Sequence, residues 1–570
     1  MSFSTERLDR TALNARVFAH PLVVLVLALA ALTVAVMLTR TLPLGPMYWD
    51  LFIYFDGANR IFDGQIPNVD FFAPVGALGY WLFAFALRLF PDAQPLLLSQ
   101  WSLFPVTAPL MALVLWDVSR RSQPVALALL LPFLFFAIVP MNVEEFYSYP
   151  GFDGFGIYNR QVVHVLYVLT AGLVFMRSQR LLALLVGGSM SALFLLKITG
   201  FVCAAPLCLF AFLAGRVALR SAIGALGLFA AVLAGLEIAF GLISGYVGQI
   251  GQLVGMNEGE LLPRLVQSAS IHFATFATGC ALALLLLLVD RKALLGAVRA
   301  LAADRSPARL AQFLDRDAVW LALVLAVGLV FESQNTGGQA FVFIWPVLLR
   351  ALLSNRRSTA PRTSLVVAVL IAATALPPAV NILHRTARAL VGQLNYVDLP
   401  NANLKSLGQV SQRTEMMERA GQMLETYARF PETYRFLADH GQLPSFTLYT
   451  EPDFQLAWLE SIDRGVDAIR AWETSHGTRF DTIMSLNFVN PFPWLMQRHA
   501  PLHIAIGADP FRAVPPPDAA VLDAVRAADL VLYPKCPVTT ANDALLALYR
   551  PALAGRTRVE LSPCWDGFLR

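Results

Sequence analysis

The sequence predicts a polytopic α-helical membrane protein with a soluble α/β domain at its C-terminal end. Three observations predict it. Of 570 residues, 57% are hydrophobic and only 14% are charged, against roughly 25% charged in soluble proteins. Apolar runs near the length of a membrane span recur through the first two thirds of the chain. From about residue 385 charges become frequent and long apolar runs stop. The mean hydropathy is +0.59, and the net charge of only +4 argues against a nucleic-acid partner.

The N-terminal arm, MSFSTERLDRTALNARVFAH, has no small-residue cleavage site after its apolar run. It is expected to be a retained cytoplasmic arm with a signal anchor. Apolar runs follow near 21–38, 75–90, 96–116, 124–140, 160–176, 181–196, 200–215, 221–244, 271–289, 317–331, 339–353 and 363–381. Basic loops should face the cytoplasm: Arg120/Arg121, Arg177/Arg180, Arg216/Arg220, Arg291 to Arg316, and Arg356/Arg357/Arg362. The loops 41–74, 141–159, 245–270 and 332–338 are poor in Lys and Arg and should face outward. These sides conflict if every run spans. The conflict disappears if 75–90 lies at the outer interface. The first outer loop then covers about 40–95, and eleven spans remain, with the N-terminus inside and the C-terminus outside.

Two domains are therefore expected: a transmembrane part, 1–384, and an extracytoplasmic α/β part, 385–570. In the second, 412–441 and 452–474 read as helices, and FDTIMSLNF, LHIAI and DLVLY as short strands. No glycine fingerprint follows a strand. Cys203, Cys208 and Cys280 lie in apolar runs. Cys536 and Cys564 lie in polar sequence and are a disulfide candidate if that part is extracytoplasmic.

The chemistry concentrates in the outer loops. Residues 49–74, WDLFIYFDGANRIFDGQIPNVDFFAP, carry Asp50, Asp56, Asp63 and Asp70. A helix from Leu51 to Phe62 would put Asp50 at its N-cap and Tyr54 on nearly the same face. Asp56, with Arg60 four residues on, reads as a surface ion pair. Two roles are open to Asp50: a cap, or a catalytic group at the membrane edge.

Asp50, Tyr54, Ala58, Gly64, Pro67, Asp70 and Pro74 resemble the first outer loop of the GT-C glycosyltransferases, polytopic enzymes that use polyprenyl-phosphate-linked sugars. The resemblance covers roughly residues 20–380. Where the family has Pro-Pro, this chain has Pro74-Val75. The resemblance implies a membrane glycosyltransferase with Asp50 as the base, an interfacial helix after it, and inversion at the sugar. It implies a polyprenyl-phosphate sugar donor, a glycan, lipid or protein acceptor, and contact with membrane lipids. The expected setting is the bacterial inner membrane with the C-terminal domain in the periplasm. A second acidic site, for the acceptor or a divalent metal such as Mg or Mn, is also implied.

For that second site the loop 142–161 offers Glu144, Glu145 and Asp153, with Tyr147, Tyr149 and Tyr158. Asp153 lies between glycines, Gly151 and Gly154, and reads as a turn residue as well. Arg160 either holds a phosphate or anchors a helix by snorkelling. Lys197 interrupts the apolar stretch 181–215 and needs a partner there. Its two readings are lipid-phosphate binding and interface anchoring. Arg264, His272, Glu332, Gln334, Asn335 and Gln339 are further outer-facing polar groups, with Gln334 and Asn335 placed to meet sugar hydroxyls or to form an ordinary hairpin. NPFPWLMQRH (490–499) reads as core or as an aromatic sugar platform.

Rival classes remain at this stage. A transporter or flippase would show polar groups in mid-span and internal repeats. Here the polar groups cluster in loops, and no repeat is present. A lipid-linked polysaccharide polymerase or ligase is also polytopic with large outer loops.

Overall fold

The computed structural model describes residues 20–146, 148–257, 261–334, 337–358, 360–443 and 450–570. The N-terminal arm lies outside them.

The apolar runs fold as helices. Gln179–Leu196, Leu219–Phe240 and Pro361–Gln393 are each long and apolar enough to cross a membrane. In Leu219–Phe240 only Ser221 and Ala225 are buried. A helix apolar all round and yet unburied needs a lipid surrounding, because water would destabilise that much exposed hydrocarbon. The chain is accordingly read as spanning a membrane.

The span arithmetic differs from the simple count of eleven. Two further candidates are bent pairs: Pro95–Trp101 with Phe104–Ser119 at 42°, and Leu262–Ile271 with Phe273–Val289 at 91°. Counting each pair as one span gives up to five by length and composition among the described residues. Other apolar runs form helices of 10–17 residues, such as Pro21–Val36 and Ile198–Leu213. Sixteen residues of helix rise about 24 Å, against about 30 Å of hydrocarbon. The expected outer loop 245–270 is largely helical, as Leu242–Met256 and Leu261–Ile271.

After the first helix the chain turns at residues 37–49 into Asp50–Phe62, a helix whose residues from Leu51 to Arg60 are all buried. The run 75–90 becomes Ala77–Leu89, about 20 Å long. Gly76 docks its start: the Gly76 amide donates to the Leu196 carbonyl at 3.0 Å. A Cβ at Gly76 would sit 2.2 Å from the Leu195 carbonyl oxygen, so only glycine permits this approach.

The last long helix, Pro361–Gln393, runs straight through the expected domain boundary at 384/385. Beyond it the helices Thr414–Arg429, Pro431–Asp439 and Pro452–His476 cover the stretches expected to be helical. One sheet has four strands in the order Ile483–Ser485, Leu530–Pro534, Trp565–Leu569, Thr557–Ser562. Its first pair is parallel and the others antiparallel. LHIAI (502–506) is not a strand. Its backbone instead bonds to the first outer loop, with Ile506 N donating to the Phe72 carbonyl at 3.0 Å.

That contact belongs to a broad seam. Leu42–Pro43 pairs in parallel with Val410–Gln412. Tyr48 N donates to Gln455 Oε1 at 2.7 Å, and Tyr48 Oη to the Leu407 carbonyl at 3.1 Å. Arg60 Nη1 donates to the Pro501 carbonyl at 2.6 Å, and Gln65 Nε2 to the Ala500 carbonyl at 3.0 Å. The Asp56–Arg60 pair is thus no surface pair: at 2.9 Å, with side chains 2% and 1% exposed, it lies between the loop and the C-terminal part. The reason is tertiary. Arg60 satisfies carbonyls that the C-terminal chain presents, which the local spacing does not reveal. Cys536 and Cys564 are joined as a disulfide, beside the sheet.

Candidate functional site

Asp50 is the first residue of its helix, not the cap. Trp49 occupies the cap position, and no side chain caps the helix. The Asp50 carboxylate instead accepts from the Gly156 amide and faces the charges of Arg160 and Arg512. Burial pushes its carboxyl up to about 7, against the pull of those three partners. Gly156 takes φ +70, and a Cβ there would lie 3.1 Å from Asn142 Oδ1. A left-handed glycine therefore turns the second loop so that its amide meets Asp50.

Arg160 is fully buried and held on one side only. Its Nε donates to Gln100 Oε1 at 2.8 Å, and its Nη1 donates to Asn142 Oδ1 and the Phe155 carbonyl, both at 2.7 Å. Among the described residues its Nη2 has no hydrogen-bond partner. Three positioning contacts with one nitrogen left over are the pattern of a guanidinium that waits for an anion. The Tyr54 hydroxyl is likewise buried without a partner among the described residues. Tyr54 packs against Tyr80 and Phe83, with ring centroids at 5.3 and 5.4 Å. Burial first, then Tyr158 and Asp50, hold its phenol well above the usual range, so it stays a neutral donor.

Lys197 sits where Gln179–Leu196 ends and Ile198–Leu213 begins. Its Nζ donates to Asn159 Oδ1 at 2.9 Å and lies 4.7 Å from the Tyr158 ring centre. Glu332 faces it electrostatically. Tyr158 also interacts electrostatically with Asp50, so it is coupled to both the aspartate and the lysine. Asp50, Tyr54, Tyr158, Arg160 and Lys197 therefore form one neighbourhood, drawn from the first outer loop, the second outer loop and the 197 turn.

The acids of the second loop separate. Asp153 is wholly buried and clasped by Arg385, with Nη2 to Oδ1 at 2.7 Å and Nη1 to Oδ2 at 3.0 Å. Glu145 pairs with Arg388 at 3.0 Å. Both are structural partners of the long helix Pro361–Gln393, a correction to their candidacy as a second acidic site. Glu144 differs. It lies 3.4 Å from His272 Nε2, which lies 3.6 Å from Glu332, and burial raises its carboxyl above the usual range. Among the described residues no group of three or more His, Cys, Asp and Glu side chains is arranged to hold a metal ion.

Gln334 Nε2 donates to Ser333 Oγ at 3.2 Å, within its own turn. Tyr147 and Asn335 lie outside the described residues. Gln339 is internal, with Nε2 to the Phe136 carbonyl at 2.8 Å and His164 at 2.8 Å. In NPFPWLMQRH, Phe492, Leu495 and Met496 are buried, and Trp494 packs on Phe55 and Phe62. Arg498 pairs with Glu473 at 3.3 Å. That stretch is a seat for the Asp50 helix.

Sequence reasoning missed Gly156, Asn159, Gln100 and Arg512. Arg512 lies in the C-terminal part and carried no signal, since nothing local links it to Asp50.

No family model and no curated protein matches the chain. Two solved structures are similar to it. One is the crystal structure of ArnT from Cupriavidus metallidurans bound to undecaprenyl phosphate, with 15% identity, 95% of this chain and 97% of that chain covered, and a TM-score of 0.41. The other is the same protein in the apo state, with 14% identity, the same coverage and a TM-score of 0.40.

Proposed function

We propose that the chain is a membrane glycosyltransferase that moves a sugar from a polyprenyl-phosphate donor to a hydroxyl of an extracytoplasmic acceptor. One observation carries the reading: a half-buried carboxylate, Asp50, faces a buried arginine whose Nη2 lacks a partner among the described residues. A base and an unfilled anion seat side by side are what displacement of a phosphate leaving group needs.

The reaction is a single displacement. Asp50 takes the proton of the acceptor hydroxyl. The hydroxyl oxygen forms a bond to the anomeric carbon while that carbon's bond to the phosphate oxygen breaks. The electron pair leaves with the polyprenyl phosphate, and the anomeric centre inverts. Arg160 Nη2 donates to the phosphate as its charge grows, and Lys197, its ammonium lowered to about 7 by burial, adds a further donor that is positive when protonated. The Tyr54 hydroxyl, lacking a partner among the described residues, donates to the reacting sugar or phosphate. The apolar helices on either side hold the prenyl chain in lipid while the phosphate stays at the water edge.

The raised Asp50 carboxyl gives a test with a definite sign. A base acts only when deprotonated, so kcat/KM should be low below pH about 6, rise through about 7 and level off above. The measurement is release of free polyprenyl phosphate by purified, reconstituted protein given a polyprenyl-phosphate sugar. A flat profile from about pH 5 to about pH 9 would remove Asp50 as the titrating base.

A further inference from the structure

A polar cavity is lined by none of the residues of the Asp50 neighbourhood. It has a volume of about 360 Å³, within the range of small-molecule sites. Its walls come from the first outer loop, one face of Leu242–Met256 and the segment Val514–Val521. On the helix, Ser244, Gly245, Gly248, Gln249 and Gln252 line it, spaced three and four apart as one face requires.

Asn68 orders one wall of the cavity. The residue is 1% exposed and lines the cavity. Its Nδ2 faces three oxygens: the carbonyls of Ala73 at 3.3 Å and Val75 at 3.2 Å, and Gln249 Oε1 at 2.8 Å. All three accept, so the amide orientation is fixed with nitrogen toward them. Its Oδ1 is buried without a partner among the described residues and is closed off from the cavity, so Asn68 serves to hold Gln249 and the loop carbonyls in place.

The remaining lining selects the kind of ligand. Its titratable groups are one carboxylate, Asp518, one imidazole, His503, and the Tyr549 phenol, and it contains no Lys or Arg, so it offers no fixed positive charge to hold an anion. Ser244 and Gln252 offer neutral donors and acceptors, while Phe72, Tyr549 and Pro515 offer apolar faces. Neutral hydrogen-bonding groups opposite apolar faces suit a ring bearing many hydroxyls. We infer that this cavity binds an uncharged saccharide, and that it seats a sugar of the acceptor. The second half of that statement rests on the transferase reading above.

The cavity is tied to the reaction centre by its own walls. Asn257 follows the lining helix, and its Nδ2 donates to the Arg512 carbonyl at 3.0 Å. Arg512 faces Asp50, and two residues later Val514 enters the cavity wall. Occupation of the cavity therefore bears on the segment that presents Arg512 to the base.

Glycine 248 supplies a clean test. A Cβ there meets nothing within 4 Å, so Gly248→Phe fills the cavity without backbone conflict. Gly251 is equally open and does not line the cavity, so Gly251→Phe is the matched control. Saturation-transfer NMR on the full chain in nanodiscs would use glucose, galactose, mannose and N-acetylglucosamine, with glucuronate as the anionic comparison. At least one neutral sugar should bind at millimolar concentration. Gly248→Phe should weaken it about tenfold or more, Gln252→Ala should weaken it less, and Gly251→Phe should leave it unchanged. Binding of glucuronate alone, of no sugar, or of neutral sugar unaffected by both cavity variants would overturn the inference. The readout needs no donor. Sugar binding lost in Gly248→Phe, in a protein that releases no polyprenyl phosphate, would keep the cavity and remove the transferase.

Discussion

Asp50→Asn should lower turnover about a thousandfold while the protein still folds and still binds its donor, since a positioned general base contributes roughly 10²–10⁴. Asparagine keeps the shape and an oxygen to accept the Gly156 amide, but it takes no proton. Stability supplies an independent check. The folded Asp50 carboxyl is raised from 3.8 to about 7 by burial. A raised acid contributes stability below its ordinary value and loses it as pH rises through about 7. The neutral asparagine mimics the protonated form, so the variant should melt no lower than the parent at alkaline pH. Turnover within about tenfold of the parent would remove Asp50 from the mechanism.

Arg385→Met should destabilise the protein by about 3–5 kcal/mol, the usual effect of leaving one partner of a buried ion pair uncompensated. Asp153 is wholly buried, with Arg385 on both oxygens and the Asn142 amide on Oδ2 at 2.6 Å. Arg385 Nη1 also donates to the carbonyls of Asn142 and Glu144, each at 2.6 Å. The loss therefore frees the second outer loop from the long helix. Asn142 also holds Arg160 through its Oδ1, so activity should fall along with stability. Thermal unfolding in detergent reads the first effect. The double variant with Asp153→Asn should recover part of the loss, because it removes the stranded charge. A melting temperature equal to the parent's would show that the clasp is not needed.

What the sequence made legible follows from local physics. Helical periodicity separated Asp50 from Asp56 and Asp63, and a lysine inside apolar sequence marked Lys197 as a residue in need of partners. Apolar runs announced helices. They did not announce where helices break: the run 271–289 folds as the helix Phe273–Val289, but the helix Leu262–Ile271 that meets it at 91° lies in a stretch expected to be an outer loop. The acids of the second loop were beyond reach for another reason. Asp153 and Glu145 are settled by Arg385 and Arg388, which are 232 and 243 residues away, and no spacing rule joins such pairs. Asp56 and Arg60 looked like an ordinary i,i+4 surface pair. Their burial depends on the C-terminal chain laying the carbonyl of Pro501 over Arg60. LHIAI has the alternation of a strand, yet its amides go to the carbonyls of the first outer loop. The strands Thr557–Ser562 and Trp565–Leu569 were missed because charged and polar residues interrupt their apolar pattern.

The central claim is that this chain breaks the bond between a sugar and a polyprenyl phosphate. The direct measurement follows a doubly labelled polyprenyl-phosphate sugar, with one label in the sugar and one in the lipid, on wild-type protein reconstituted in vesicles with a membrane lipid extract as acceptor. The account predicts that the sugar label moves to acceptor and that free polyprenyl phosphate appears in equal amount. Donor recovered intact with both labels together, whether left in place or carried across the bilayer, would contradict it.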